Sequence, residues 1–188
     1  HTFILEDGTR KQLKDLKVND RLKISDAGQT HGKKRIDGAY LKGFLVGDGT
    51  SLNNKVILRL YEPKYSCEER LISSALEVSP GEVKTNAISD VYFSDEYAVK
   101  DSSRKNMTGL SVRSHDLLQF VQRENGLSKE IFEADYESKC EFLAGLFDSD
   151  GTASDTKNGF LYQYSSINLQ LIRDIQTLLK TIGVQSTV

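Results

Sequence analysis

Leu143-Ala144-Gly145-Leu146-Phe147-Asp148-Ser149-Asp150-Gly151 is the stretch on which the fold turns. An upstream stretch, Leu41-Lys42-Gly43-Phe44-Leu45-Val46-Gly47-Asp48-Gly49, follows the same pattern at an offset of 102 residues. Thr50 and Thr152 continue both copies, and Tyr40 and Phe142 precede them. A single apolar helix ending in Asp-Gly reads as a capping turn; two matched copies indicate an internal repeat. Gly43 and Gly47 lie four apart and share one helix face, and Gly145 and Ser149 hold the same offsets. Small residues on facing helices let two backbones meet closely. Leu41, Phe44 and Leu45, and likewise Leu143, Leu146 and Phe147, are expected to face other apolar groups. Gly49 and Gly151 suit the left-handed position that closes a helix. Helices side by side would deliver Asp48 and Asp150 to one end. Carboxylates placed so closely repel unless cations sit between them. Hard cations such as Mg²⁺ use acid pairs of this kind, and the arrangement supports in-line displacement at phosphorus. A calcium loop starting at Asp148 is the competing reading. It fails because its glycine comes two positions early and Gly159 falls where the bidentate acid is needed.

The 188 residues suffice for one or two domains with a core. Charged residues at 28% and apolar ones at 38% are ordinary for a globular protein. No apolar run is long enough for a membrane span and no signal-peptide pattern is present. The expectation is an intracellular protein, in cytoplasm or nucleus, neither secreted nor bound to a membrane. Cys67 and Cys140 form no spaced framework, which fits free thiols in a reducing compartment. The net charge of −2 weighs mildly against a nucleic-acid binder. Local patches therefore have to carry any such binding.

Taken in order, Phe3, Ile4 and Leu5 read as a short strand, Asp7-Gly8 as a hairpin turn, and Leu22 and Ile24 as part of a half-buried strand. Residues 26–37 form a polar linker whose basic run is Lys33-Lys34-Arg35. Residues 55–61 alternate, with Val56, Leu58 and Leu60 on one face and Lys55, Ile57, Arg59 and Tyr61 on the other. That second face is either a wet outer surface or one that lies in a DNA major groove. A helix is expected over 65–77 with Leu71, Ile72, Ala75 and Leu76 as its apolar face. Two strands are expected within 82–113, carrying Lys84, Asn86, Lys100, Arg104, Lys105 and Arg113. A helix over 114–124 completes the first half. The second half is expected to repeat it with a strand over 160–166, a helix over 168–181 capped by Gly183, and a strand starting at Val184.

The two Asp-Gly stretches resemble the paired motifs of the LAGLIDADG homing endonucleases. The second matches at Leu143, Ala144, Gly145, Leu146, Asp148, Asp150 and Gly151; the first is looser but keeps the Gly-Asp-Gly ending. The resemblance implies an α+β fold of two pseudo-symmetric αββαββα repeats, the second truncated. It implies a metal-dependent nuclease that cuts both strands of double-stranded DNA at a long, rare site. Asp48 and Asp150 would hold Mg²⁺ (or Mn²⁺), with Gly47 and Ser149 beside them. Lys129, a lysine followed shortly by apolar residues, would stand near the active site; an unengaged surface lysine is the alternative. Lys55, Arg59, Tyr61, Lys84, Asn86, Lys100, Arg104, Lys105 and Arg113 would contact DNA.

The opening segment resembles the splicing domain of inteins, through His1, Asp7-Gly8, Asp15-Leu16 and Asp20, with Asn19 in place of the usual glycine. There His1 would assist the first acyl shift. The resulting division is 1–30 as a splicing segment with linker, 31–133 as the first repeat and 134–188 as an incomplete second repeat. A C-terminal remainder of the parent protein is then an expected partner, and splicing is not expected of this stretch alone. The rival reading is a LAGLIDADG scaffold that binds nucleic acid without cutting it, as maturases, regulators or decayed nucleases would. A third is an insert that merely supports splicing.

Overall fold

A computed structural model of the chain describes residues 1–23, 31–52, 55–61, 64–79, 83–86, 107–112, 114–121, 126–157 and 159–188. Its elements run β1 (Thr2–Ile4), β2 (Arg10–Gln12), α1 (Ala39–Asp48), β3 (Thr50–Leu52), β4 (Lys55–Tyr61), α2 (Glu68–Val78), β5 (Val83–Asn86), β6 (Met107–Val112), α3 (His115–Val121), α4 (Lys129–Phe132), α5 (Tyr136–Asp150), β7 (Gly151–Thr156), β8 (Gly159–Tyr164) and α6 (Leu169–Thr181). The fold is α+β; among the described residues the named strands pair antiparallel, and an isolated parallel bridge joins Lys34 to Ala134.

The core is built on α1 and α5. A side chain at Gly43 would run into the Phe142 carbonyl and the Leu146 nitrogen; one at Gly145 would run into the Tyr40 carbonyl and the Phe44 nitrogen. Tyr40 and Phe44 are the repeat mates of Phe142 and Leu146, so each glycine admits the other helix at the equivalent point. The two helices therefore run parallel about a local two-fold. Their approaches are tied as well: Ile36 N–H donates to Ser138 Oγ at 2.9 Å, and Gly32 N–H donates to the Ala134 carbonyl at 2.8 Å. Asp135 caps α5 by accepting from Ser138 N–H at 2.8 Å. Asp135→Ala is expected to lower stability by roughly 1 kcal/mol, read in a denaturant titration.

Gly49 and Gly151 correct one expectation. Both are extended (φ −66° and −76°), not left-handed. Glycine is needed there because a side chain would collide with the carbonyl of Leu45 or of Phe147 in the last turn. On α2 the buried residues are Leu71, Ser74 and Ala75, while Leu76, expected inside, is 44% exposed. Ser74 takes the inner slot because its Oγ accepts the Leu41 N–H of α1 at 3.0 Å, one of the donors that a helix start leaves unmatched.

β3, β4, β6 and β5 make a four-stranded sheet in that order. Val56, Leu58 and Leu60 are buried as the alternation predicts, and Ile57 is buried too. Arg59 and Asn86 both lie opposite Gly109, while Ile57 and Lys84 both lie opposite Ser111. The backbone positions of Lys55, Arg59, Tyr61, Lys84 and Asn86 are thus in phase across the sheet. Lys100, Arg104, Lys105 and Arg113 lie outside the described residues.

The second half repeats the hairpin and helix as β7, β8 and α6. Thr50 faces Ile57 and Thr152 faces Gln163, which makes Tyr162 the counterpart of Val56. Val56 is 2% exposed and Tyr162 67%. Among the described residues β8 pairs with β7 alone. A groove of about 880 Å³ beside it is lined by Leu143, Phe147, Tyr162, Tyr164, Ile172 and Leu179. Gly183 caps α6 in the left-handed conformation (φ 88°), with Val184 N–H on the Leu179 carbonyl at 2.9 Å. Residues 184–188 form no strand, a second correction: the Val184 amide is already used by that cap.

The opening segment is the expected hairpin. Thr9 N–H donates to Asp7 Oδ1 at 2.9 Å, and Leu5 bridges Leu22. Asn19 is left-handed (φ 76°), a conformation asparagine tolerates next best to glycine. Asp20 accepts Lys17 N–H at 2.8 Å and pairs with Lys11 at 3.0 Å. These two, the backbone donor foremost, hold its carboxyl below the usual range. A lowered folded pKa stabilises above the unfolded value and is lost as pH falls through the folded one. The hairpin is therefore expected to loosen below about pH 4. Asp20→Asn should remove that acid dependence in hydrogen exchange of the Lys17 amide.

Candidate functional site

α1 and α5 end together, each in an aspartate followed by glycine. A side chain at Gly47 would strike Ser149 and begin 3.2 Å from the Asp150 carboxyl carbon. Asp150 therefore leaves α5 over Gly47, the residue before Asp48. The two helix C-termini, each carrying partial negative charge, thus lie side by side, with an aspartate at the end of each. Asp48 is half-buried and Asp150 exposed. Ser149 is buried, and its hydroxyl donates to the Leu146 carbonyl at 2.7 Å. Ser149 could reach a cation only through its backbone carbonyl.

Lys64 is the neighbour that the sequence reading did not find. It opens a short 3₁₀ turn (Lys64–Cys67) between β4 and α2. Its Nζ lies 2.5 Å from Asp48 Oδ2. The only signal for it in sequence is its place just after β4, the strand that returns toward the motif helix. Lys129 begins α4, is 87% exposed and pairs with Glu133 at 3.1 Å; no contact joins it to Asp48 or Asp150 among the described residues. His1 stands exposed at the head of β1, its carbonyl taken by Leu13 N–H at 3.0 Å.

Asp148 turns away from this pair. It accepts the Tyr40 hydroxyl at 2.7 Å and lies 4.0 Å from Arg70, which also reaches Glu141 at 2.8 Å. The Arg70 guanidinium lies over the Tyr40 ring at 3.9 Å. Burial first, then the Cys67 thiol and Asp148, push the Tyr40 phenol far above its ordinary range, so it stays a donor. This cluster fastens α1 and α2 to α5. Tyr40→Phe is expected to cost about 1 kcal/mol, measured by thermal unfolding.

Among the described residues no group of three or more His, Cys, Asp and Glu converges as a closed metal cage. Two carboxylates do fit Mg²⁺, which keeps several waters and takes one or two protein acids with the phosphate of a substrate. Among the described residues, no helix is long and apolar enough to cross a membrane.

The chain is 25% identical over 201 aligned residues to the ribonucleoside-diphosphate reductase NrdEB subunit alpha of Bacillus subtilis (strain 168). It has the same likeness to that subunit of Bacillus phage SPbeta. Each alignment covers 99% of this chain and 18% of the relative, so the chain spans less than a fifth of the curated relatives it matches. Residues 137–188, which hold α5, the β7–β8 hairpin and α6, match the LAGLIDADG-like domain.

Proposed function

We propose that this chain is the nuclease-bearing part of an intein, divided into a splicing segment with linker (1–30), a first LAGLIDADG repeat (31–133) and a second (134–188). The proposed activity is site-specific cleavage of double-stranded DNA inside the cell. One observation carries the reading: Asp48 and Asp150 leave the same end of two parallel helices that interlock at Gly43 and Gly145. That the match covers 18% of a reductase subunit is the relation expected of an element carried within a host enzyme. The host and the splicing role of His1 belong to this proposal.

Bound Mg²⁺ (or Mn²⁺) would supply the positive charge that activates water and offsets the charge gained by the phosphate. Asp48 and Asp150, with the backbone carbonyls of Gly47 and Ser149, would hold it. Hydrolysis forms one P–O bond from water and breaks one, the leaving oxygen taking up a proton. Lys129 would serve by charge near the scissile phosphate. The in-phase backbone positions of Lys55, Arg59, Tyr61, Lys84 and Asn86 support base and phosphate contacts along one face of the sheet; Lys100, Arg104, Lys105 and Arg113 are further DNA contacts of the same proposal.

The test is a supercoiled plasmid carrying an uninterrupted reductase alpha-subunit gene, incubated with the protein and Mg²⁺. Linear product that EDTA abolishes is expected. A mobility shift without cleavage would replace this reading with the non-cutting binder. Neither shift nor cleavage would leave only a role in supporting splicing.

A further inference from the structure

The repeat relates Asp48 to Asp150, yet their surroundings differ. Asp48 is half-buried and meets Lys64; Asp150 is exposed, and among the described residues no hydrogen bond or ion pair reaches its carboxylate. Lys64 lies in the connection from β4 to α2. The matching connection from β8 to α6 reads Ser165-Ser166-Ile167-Asn168 and holds no cation. The local two-fold thus relates two acids but only one lysine.

We propose that Lys64 is a positioning residue that occupies the cation place on Asp48 until a DNA phosphate draws it away. This rests on the metal-site reading above. Asp48 stands at the negative end of α1, where the helix itself favours a cation. A half-buried ammonium on a carboxylate is a strong, charge-assisted contact. Mg²⁺ sheds its waters reluctantly, so it competes poorly with an ammonium already in place. A phosphate oxygen offers Lys64 an equivalent partner, and the freed carboxylate can then take a metal ion. Phosphate binding and metal binding at Asp48 thereby favour each other, reciprocally. Among the described residues Asp150 carries no such occupant, and on this proposal its half of the site takes cations in the absence of DNA.

Mn²⁺ binding to the DNA-free 188-residue protein tests this, read from the paramagnetic resonance signal of the unbound ion. Lys64→Met is expected to bind Mn²⁺ about tenfold more tightly than the wild type, and Lys64→Gln to do likewise with a polar, uncharged side chain. Adding Asp48→Asn to either variant should remove the gain, while Lys64→Arg should keep wild-type affinity. Circular dichroism on each variant verifies the fold. If Lys64→Met and Lys64→Gln bind no more tightly while Asp48→Asn weakens binding, Lys64 does not compete and the proposal is overturned. If no variant's binding responds to Asp48→Asn or Asp150→Asn, the metal-site reading falls, and this inference with it.

Discussion

Gly145→Val is expected to lower the unfolding free energy by about 3 kcal/mol or more, a large share of the roughly 5–15 kcal/mol a domain of this kind possesses. The new side chain would have to enter the space held by the Tyr40 carbonyl and the Phe44 nitrogen. Backbone in a helix cannot turn aside as a side chain can. α1 and α5 would have to separate, and the buried Phe142, Leu146 and Phe44 beside the crossing would lose packing together. Gly43→Val should behave alike, because it meets the Phe142 carbonyl and Leu146 nitrogen in the mirrored place. Ala153→Val on exposed β7 is the control and should stay within about 0.5 kcal/mol. A denaturant midpoint for Gly145→Val equal to that of the control would refute the close crossing, and with it the convergence of the two aspartates.

Asp150→Asn carries the second large effect. On the proposed function it should reduce double-strand cleavage by about 10³-fold, the loss of roughly 4 kcal/mol of charge stabilisation. DNA affinity should change little, because the proposed duplex contacts lie on the sheet. The exchange is nearly isosteric at an exposed carboxylate, so stability should not move. Asp48→Asn should match it in cleavage, and it also deprives Lys64 of its ionised partner. Cleavage rates on a mapped target, with binding followed by anisotropy, separate the two quantities. Undiminished cutting of both strands by Asp150→Asn would remove this aspartate from the chemistry.

The centre of the fold was readable because it is written twice. Two apolar stretches with glycines at matched offsets admit few arrangements, and the parallel α1–α5 pair with its aspartates at one end is the one observed. Features set by contacts between distant residues were not readable. Lys64 reaches Asp48 only because β4 and its turn bring it back to the end of α1. Tyr40, Arg70, Glu141 and Asp148 come from three helices. Ser74 replaces Leu76 in the core because a hydrogen-bond need at the start of α1 outweighs side-chain apolarity. Lys139 sits fully buried on α5 with Nζ 3.2 Å from Thr181 Oγ1, and burial pulls its ammonium pKa down. Nothing in the local pattern separates it from a surface lysine.

β8 has a further consequence, concerning how the molecules behave together. Gly159-Phe160-Leu161-Tyr162-Gln163-Tyr164 contains no charge and no proline, and among the described residues it has no second strand partner besides β7. Edges of this kind recruit strands from other molecules, since nothing on them repels a newcomer. Concentrated solutions of the 188-residue chain should therefore associate edge to edge, with light scattering that rises with concentration well below the melting temperature. Leu161→Lys would place a charge on that edge and should raise the solubility limit while leaving the melting temperature where it was. Handling of the protein, more than its stability, is governed by this one strand.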